Sequence, residues 1–227
     1  MPHGPAGLAE IKAFENQLIE RNAAAAKINR EFFLAHRILA LHLISTPGTG
    51  KTELLLATAK GLKKRFFMAL VDSYGANGID GGRYQKAGLL SLGISPRAEG
   101  RLDARLVGEA VLARPVKDNS LFFIEGSGGR PYAFDLDLGE QAKVMLFSPD
   151  QGSDKPLKLS ERLKGADLVL LSKKDLVEPM GFDLTAFKRA LKLVQPKLEL
   201  IEVSALSGEG MDHWIDWIIE QASKLET

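Results

Sequence analysis

The chain has 227 residues, 45% hydrophobic and 26% charged, the balance of an ordinary globular α/β domain with a sizeable core. A formal net charge of +1 gives no reason to expect a nucleic-acid or acidic-membrane partner, and the absence of cysteine excludes disulfides, thiolate metal sites and cysteine nucleophiles. No apolar run approaches the roughly 18 residues of a membrane span and no signal peptide is visible, so a cytoplasmic setting is expected.

Taken in order, residues 1–5 read as a tail and residues 8–35 as one long helix. Apolar side chains at Leu8, Ile11, Phe14, Leu18, Ile19, Ala25, Ile28, Phe32 and Phe33 recur mostly at helical spacings. This helix either covers the sheet of the following domain or forms an arm toward a partner. Residues 1–36 are therefore set apart from a domain over 37–227.

That domain starts with an apolar run over 38–44, followed by Ser45-Thr46-Pro47-Gly48-Thr49-Gly50-Lys51-Thr52 and a helical pattern from Glu53. Strand, glycine loop, Lys-Thr and helix together make a phosphate-binding loop. Its glycines let backbone N–H groups turn toward phosphate oxygens. Pro47, Gly48, Thr49, Gly50, Lys51, Thr52 and Glu53 are the candidate phosphate contacts. Lys51 reaches the β- and γ-phosphates, and Thr52 can ligate Mg²⁺. Ser45 stands where the pattern's first glycine is usual.

Further strands are expected at 66–71, 89–94, 120–125, 144–148, 168–172 and 198–203. Helices are expected at 84–87, 102–113, 157–163, 184–193 and 211–225. Uninterrupted apolar strands alternating with helices predict an α/β, mostly parallel central sheet covered on both faces, the P-loop NTPase fold, with an additional N-terminal helix. Ligands in such sheets sit at the carboxyl ends of the strands. The phosphate loop, Asp72, Glu125, residues 172–175 and Ser204 all fall at such ends.

Asp72 and Glu125 each close an apolar strand, where carboxylates can hold Mg²⁺ beside Thr52, directly or through water. An acid there can also cap the following turn. Ser172-Lys173-Lys174-Asp175 is similar to the guanine-reading Asn-Lys-x-Asp: Asp175 would accept two N–H bonds from guanine, and the Lys173 stem would pack on the base. Ser204-Ala205-Leu206 follows the next strand, where a backbone N–H would meet the guanine oxygen. With Ser172 in place of asparagine the loop is expected to lack its usual brace, so guanine preference over adenine should be softened.

Together these residues resemble HypB, the GTPases that assist nickel insertion into hydrogenases. The resemblance is carried by Asn29-Arg30-Glu31-Phe32-Phe33, the serine-led phosphate loop, Lys86-Ala87-Gly88, Leu102-Asp103-Ala104-Arg105, Phe123-Ile124-Glu125, Asp137-Leu138-Gly139-Glu140, Asp154-Lys155-Pro156-Leu157-Lys158 and Ser207-Gly208-Glu209-Gly210 with Trp214 and Trp217. It implies a GTP/GDP-binding, Mg²⁺-dependent GTPase that forms a homodimer and serves a client metalloenzyme or accessory protein. It also implies differences. Gly100 and Arg101 stand at a family Cys-His pair and Tyr132 at a further cysteine, so the family's nickel or zinc site is expected to be absent. Asp72-Ser73-Tyr74 replaces Glu-Gly-Asp, and Glu125-Gly126-Ser127-Gly128-Gly129 replaces Glu-Asn-Val-Gly-Asn. Two functions stay open: a GTPase acting in metalloenzyme maturation, with Lys51, Thr52, Glu125 and Asp72 as its working residues, and a nucleotide-switched scaffold with little hydrolysis.

Overall fold

In the computed structural model, which describes residues 5–72, 80–94, 102–114, 116–125 and 136–226, the apolar runs of the sequence are strands. The helix α1 (Pro5–Ala35) leads into β1 (Leu39–Ile44), α2 (Lys51–Leu62), β2 (Phe67–Asp72), α3 (Gly81–Ala87), β3 (Leu89–Gly93), α4 (Ala104–Ala113) and β4 (Ser120–Glu125). There follow β5 (Ala142–Phe147), α5 (Lys155–Lys158), α6 (Ser160–Leu163), β6 (Leu168–Leu171), α7 (Leu184–Val194), β7 (Glu199–Glu202) and α8 (Met211–Ser223). The seven strands form one sheet in the order β3-β2-β4-β1-β5-β6-β7, every neighbouring pair parallel.

The strands are mostly apolar, the edge strand β7 (Glu199–Glu202) least so, because helices cover both faces. On one face Leu41, Leu43, Leu70 and Phe123 pack with Leu54 of α2 and Trp214 and Ile218 of α8. On the other, Ala40, Val71 and Phe122 meet Phe33 of α1 and Val107 of α4. Phe147, Val169 and Leu171 pack with Phe187 and Leu191 of α7. The buried Trp214 indole donates to the Thr58 hydroxyl at 2.9 Å, tying α8 to α2.

The long helix is anchored by its carboxyl-terminal half. Ala26, Asn29 and Phe33 are buried, whereas Leu18, Ile19 and Ile28 are exposed. Asn29 donates to the carbonyls of Ala104 and Leu138, and Arg30 pairs with Asp137 at 2.6 Å. Gly139, at φ +90°, lies so close that a Cβ there would sit 2.6 Å from the Ala26 carbonyl oxygen. The carboxyl-terminal half of the helix therefore covers the sheet, the first of the two roles expected for it, while residues 16–20 pack on nothing among the described residues. Beneath it, burial pushes the Glu140 carboxyl up. His42, 3.5 Å away, and Lys143, 3.4 Å away, pull harder, and its pKa is lowered to about 2.

One expected helix is divided. Residues 157–163 fall in two short helices, α5 and α6, because Pro156 lies in the first turn of α5, which starts at Lys155, and Leu159 leaves helical geometry at φ −113°, ψ 24°. Among the described residues no helix is long and apolar enough to cross a membrane.

Candidate functional site

The phosphate loop joins the central strand β1 to α2. β1 lies between β4 and β5, where successive connections leave in opposite directions, and that is where α/β sheets open a crevice at their carboxyl edge. Gly48 at φ +83° and Gly50 at φ +85° provide the left-handed turns the loop needs. Gly50 precedes the first residue of α2 and carries no side-chain cap, so the helix begins with N–H groups aimed along its axis. The Thr49 hydroxyl donates to the Thr46 carbonyl and shapes the loop from within. Pro47 lies between them at the tip.

Lys51 reaches back across the loop. Its ammonium donates to the Ser45 hydroxyl at 2.5 Å and lies 3.6 Å from Glu125 Oε1 at the end of β4. Both Lys51 and Glu125 are largely buried side chains. Ser45, which breaks the glycine pattern in sequence, thus holds the loop lysine. β1 and β4 pair so that Leu43 lies opposite Glu125, which sets the acid beside the loop. Asp72 ends β2 opposite Glu125 in register; its side chain lies outside the described residues. So do Ser73, Tyr74, Gly100, Arg101, Tyr132 and residues 126–129.

An acid not anticipated from sequence stands at Thr52. Asp80, at the start of α3, accepts the Thr52 hydroxyl proton at 3.1 Å. Its other oxygen accepts from Arg83 at 3.1 Å, and Arg83 also donates to Glu53 at 2.7 Å. The Tyr84 phenol lies 3.4 Å from the same Thr52 hydroxyl. The sequence signal for it is an Asp-x-x-Arg spacing at the mouth of a short helix, a weak pattern until the fold brings it to the loop. Gln151, in the 3₁₀ turn after β5, donates to the Thr46 hydroxyl, a second contact that sequence alone did not indicate.

The two segments expected to read a base, residues 172–175 and 204–206, lie side by side. Ser172 corrects one expectation: it does brace the loop. Its buried hydroxyl lies 2.5 Å from the Thr49 carbonyl oxygen and 2.9 Å from that of Phe147, tying the segment after β6 to the phosphate loop. The chains approach closely enough for a hydroxyl to span a gap where a longer amide was expected. Lys173, at φ +54°, lays its aliphatic stem over Gly50 and its ammonium 3.5 Å from Asp150. Asp175 accepts from the Ser204 hydroxyl at 2.5 Å. The Ser204 amide donates to the Glu209 carbonyl, so of the three amides expected near a base this one is already engaged. Leu206 is 87% exposed, so this edge of the site faces solvent. Lys174 points the other way and pairs with Glu209 at 2.7 Å.

The oxygen donors Thr52, Asp80 and Glu125 suit a hard cation such as Mg²⁺. Among the described residues no three His, Asp or Glu side chains gather as a metal cage. A hard ion at Thr52 would thus complete its shell with phosphate oxygens and water, as Mg²⁺ commonly does.

Residues 40–202 match the family of the CobW/HypB/UreG nucleotide-binding domain. The chain is 34% identical over 221 residues to the hydrogenase maturation factor HypB of Escherichia coli K12, covering 96% of this chain and 76% of that one. It is 36% identical to HypB of Azotobacter vinelandii, over 96% of this chain and 73% of the relative. The chain belongs to the HypB family. Among solved structures, HypB of Archaeoglobus fulgidus superposes with a TM-score of 0.81 at 28% identity, over 89% of this chain and 99% of that one. The fold is likewise that of HypB from Helicobacter pylori, solved in complex with nickel, with a TM-score of 0.82 at 24% identity over 90% and 96% of the two chains. The P-loop NTPase fold expected from the sequence is the one these HypB structures share.

Proposed function

We propose that this HypB-family chain binds GTP and GDP with Mg²⁺ and hydrolyses GTP in support of metalloenzyme maturation. Residues 37–227 would form the GTPase domain, with 1–36 as its tail and outer helix. The observation that carries the reading is the join between the two halves of the site: Ser172 ties the base segment to the carbonyl of Thr49, one residue from Gly50 and two from Lys51. A nucleotide spanning that join would have its phosphates in the glycine loop and its base at Asp175, Ala205 and Leu206. Lys51 would neutralise β,γ-phosphate charge, and Thr52, Asp80, Glu125 and Asp72 would supply oxygen to Mg²⁺, which offsets charge developing during phosphoryl transfer. The protein's part is positioning: Ser45 and Glu125 hold the lysine, and Asp80 orients the Thr52 hydroxyl.

Lys51→Ala should weaken GTP binding by tenfold or more, about 1.4 kcal/mol, because a methyl group brings no charge to the loop. Calorimetry reads this directly, and equal affinity for GTP in wild type and variant would sink the site. Phosphate release with and without Mg²⁺ decides between the GTPase and a nucleotide-switched scaffold. Tyr74, where the family resemblance places an acid, favours slow turnover.

The client is proposed to be a hydrogenase-like metalloenzyme, on the strength of the relatives' role as hydrogenase maturation factors. A cytoplasmic homodimer is the proposed setting. We also infer that the family's nickel or zinc position is not retained, since Gly100, Arg101 and Tyr132 offer neither thiolate nor imidazole, and arginine cannot act as a ligand. Equilibrium dialysis followed by elemental analysis should find no stoichiometric nickel or zinc with or without GTP. One tightly held ion lost on mutating positions 99–103 overturns that part.

A further inference from the structure

We propose that Glu53 and Arg83 are positioning residues that set how strongly Mg²⁺ couples to nucleotide in this site, Arg83 by clamping Asp80 onto Thr52 and Glu53 by cancelling the positive charge that Arg83 brings. The inference rests on the Mg²⁺–GTP reading above and adds to it a role for two side chains; the phosphate contact expected of Glu53 falls to its backbone N–H, which leaves its carboxylate for Arg83.

Asp80 occupies the N-cap position of α3, where an aspartate ordinarily accepts hydrogen bonds from its own helix. Here its side chain makes no capping bond. One oxygen takes the Thr52 hydroxyl and the other takes Arg83. One oxygen is thus turned to α2 and the other to the side chain of Arg83 three residues on, neither to the backbone N–H groups of the helix the residue starts. Local sequence does not account for this. α3 opens with Gly81 and Gly82, poor helix formers, and Arg83 follows in the first turn, where the helix's own N–H groups disfavour a cation. What holds the turn is tertiary. Arg83 spans Asp80 and Glu53 at 3.1 and 2.7 Å, bridging α3 to the first turn of α2, two residues from Lys51.

Charge explains why the bridge has three members. Asp80 paired with Arg83 alone would be a neutral couple, with a fixed guanidinium beside a site meant for a dication. Glu53 restores a net charge of −1 to the trio, so the acid at Thr52 keeps its attraction for Mg²⁺. The guanidinium fork suits two carboxylates at once, which a lysine ammonium on a flexible stem does not reproduce. As a purely stabilising device the bridge would contribute little: Arg83 and Glu53 are 46% and 59% exposed, and solvent screens exposed ion pairs. Its geometric consequence, the fixed orientation of the Thr52 hydroxyl, is what the site uses.

The test is the ratio of GTP dissociation constants in EDTA and in saturating Mg²⁺, measured by calorimetry. In both Glu53→Gln and Arg83→Gln the ratio should fall by about threefold or more, the size of a lost partly screened charge contact. Arg83→Lys should behave as Arg83→Gln does, because the fork is missing. The double variant should lose no more than Arg83→Gln alone, since Glu53 has nothing to cancel once Arg83 is gone. A ratio that stays at the wild-type value in both single variants, or losses that simply add in the double variant, overturns the proposal. Lys51→Ala separates this from failure of the underlying reading: if that variant binds GTP like wild type, the site itself is misplaced. If it loses GTP while the ratio is unmoved in Glu53→Gln and Arg83→Gln, only the clamp is wrong.

Discussion

Ser172 has one hydroxyl hydrogen and two carbonyl oxygens within reach, those of Thr49 and Phe147. It can donate to one at a time, so its single donor is spent on the backbone and no hydroxyl hydrogen remains for a bound base. The asparagine implied by the family resemblance carries two N–H donors and could hold the loop while offering a second donor outward. Ser172→Asn should therefore raise the GTP-over-ATP preference, by up to about tenfold if one net hydrogen bond is gained. Ser172→Ala should instead cost stability, about 1–3 kcal/mol, by taking the hydroxyl partner from the Thr49 carbonyl, since the Phe147 carbonyl keeps the backbone N–H of residue 172. Competition between GTP and ATP reads the first outcome and thermal unfolding the second. An unchanged preference in the asparagine variant would show that base choice rests wholly on Asp175 and the Ser204–Leu206 turn. The same residue marks a limit of reading from sequence. The substitution was visible, but whether a shorter side chain still spans the gap depended on a backbone separation that no spacing encodes.

At the scale of elements, the strands were legible because burial on both faces leaves no polar alternation to confuse the pattern. The β1–loop–α2 unit was legible because glycine, lysine and threonine have few substitutes there. The carboxyl-end convergence of Glu125, residues 172–175 and Ser204 followed from strand direction alone. Asp80 and Arg83 were not legible in this way. They belong to a seven-residue helix opening on two glycines, and their partners Thr52 and Glu53 are roughly thirty residues earlier. Nothing local announces such a contact. The division into α5 and α6 was missed for a similar reason: apolar spacing from Leu157 to Leu163 survives a break in the backbone at Leu159.

Seen whole, the described residues form one parallel sheet with the candidate site residues gathered at the carboxyl ends of its strands and α1 packed on one face. That helix is held very unevenly. From Asn22 onward it is fastened by Asn29, Arg30 and Phe33 and pressed against Gly139, while residues 16–20 present every side chain to solvent. An isolated helix of that composition has little reason to persist without packing. Amide hydrogen exchange should therefore divide α1 into two stretches. Residues 26–35 should open only with the sheet they cover, at close to the global unfolding free energy, whereas residues 13–20 should fray and exchange orders of magnitude sooner. Uniform protection along all 31 residues in a dilute monomeric sample would contradict this, and would mean that a second body of protein covers the outer half.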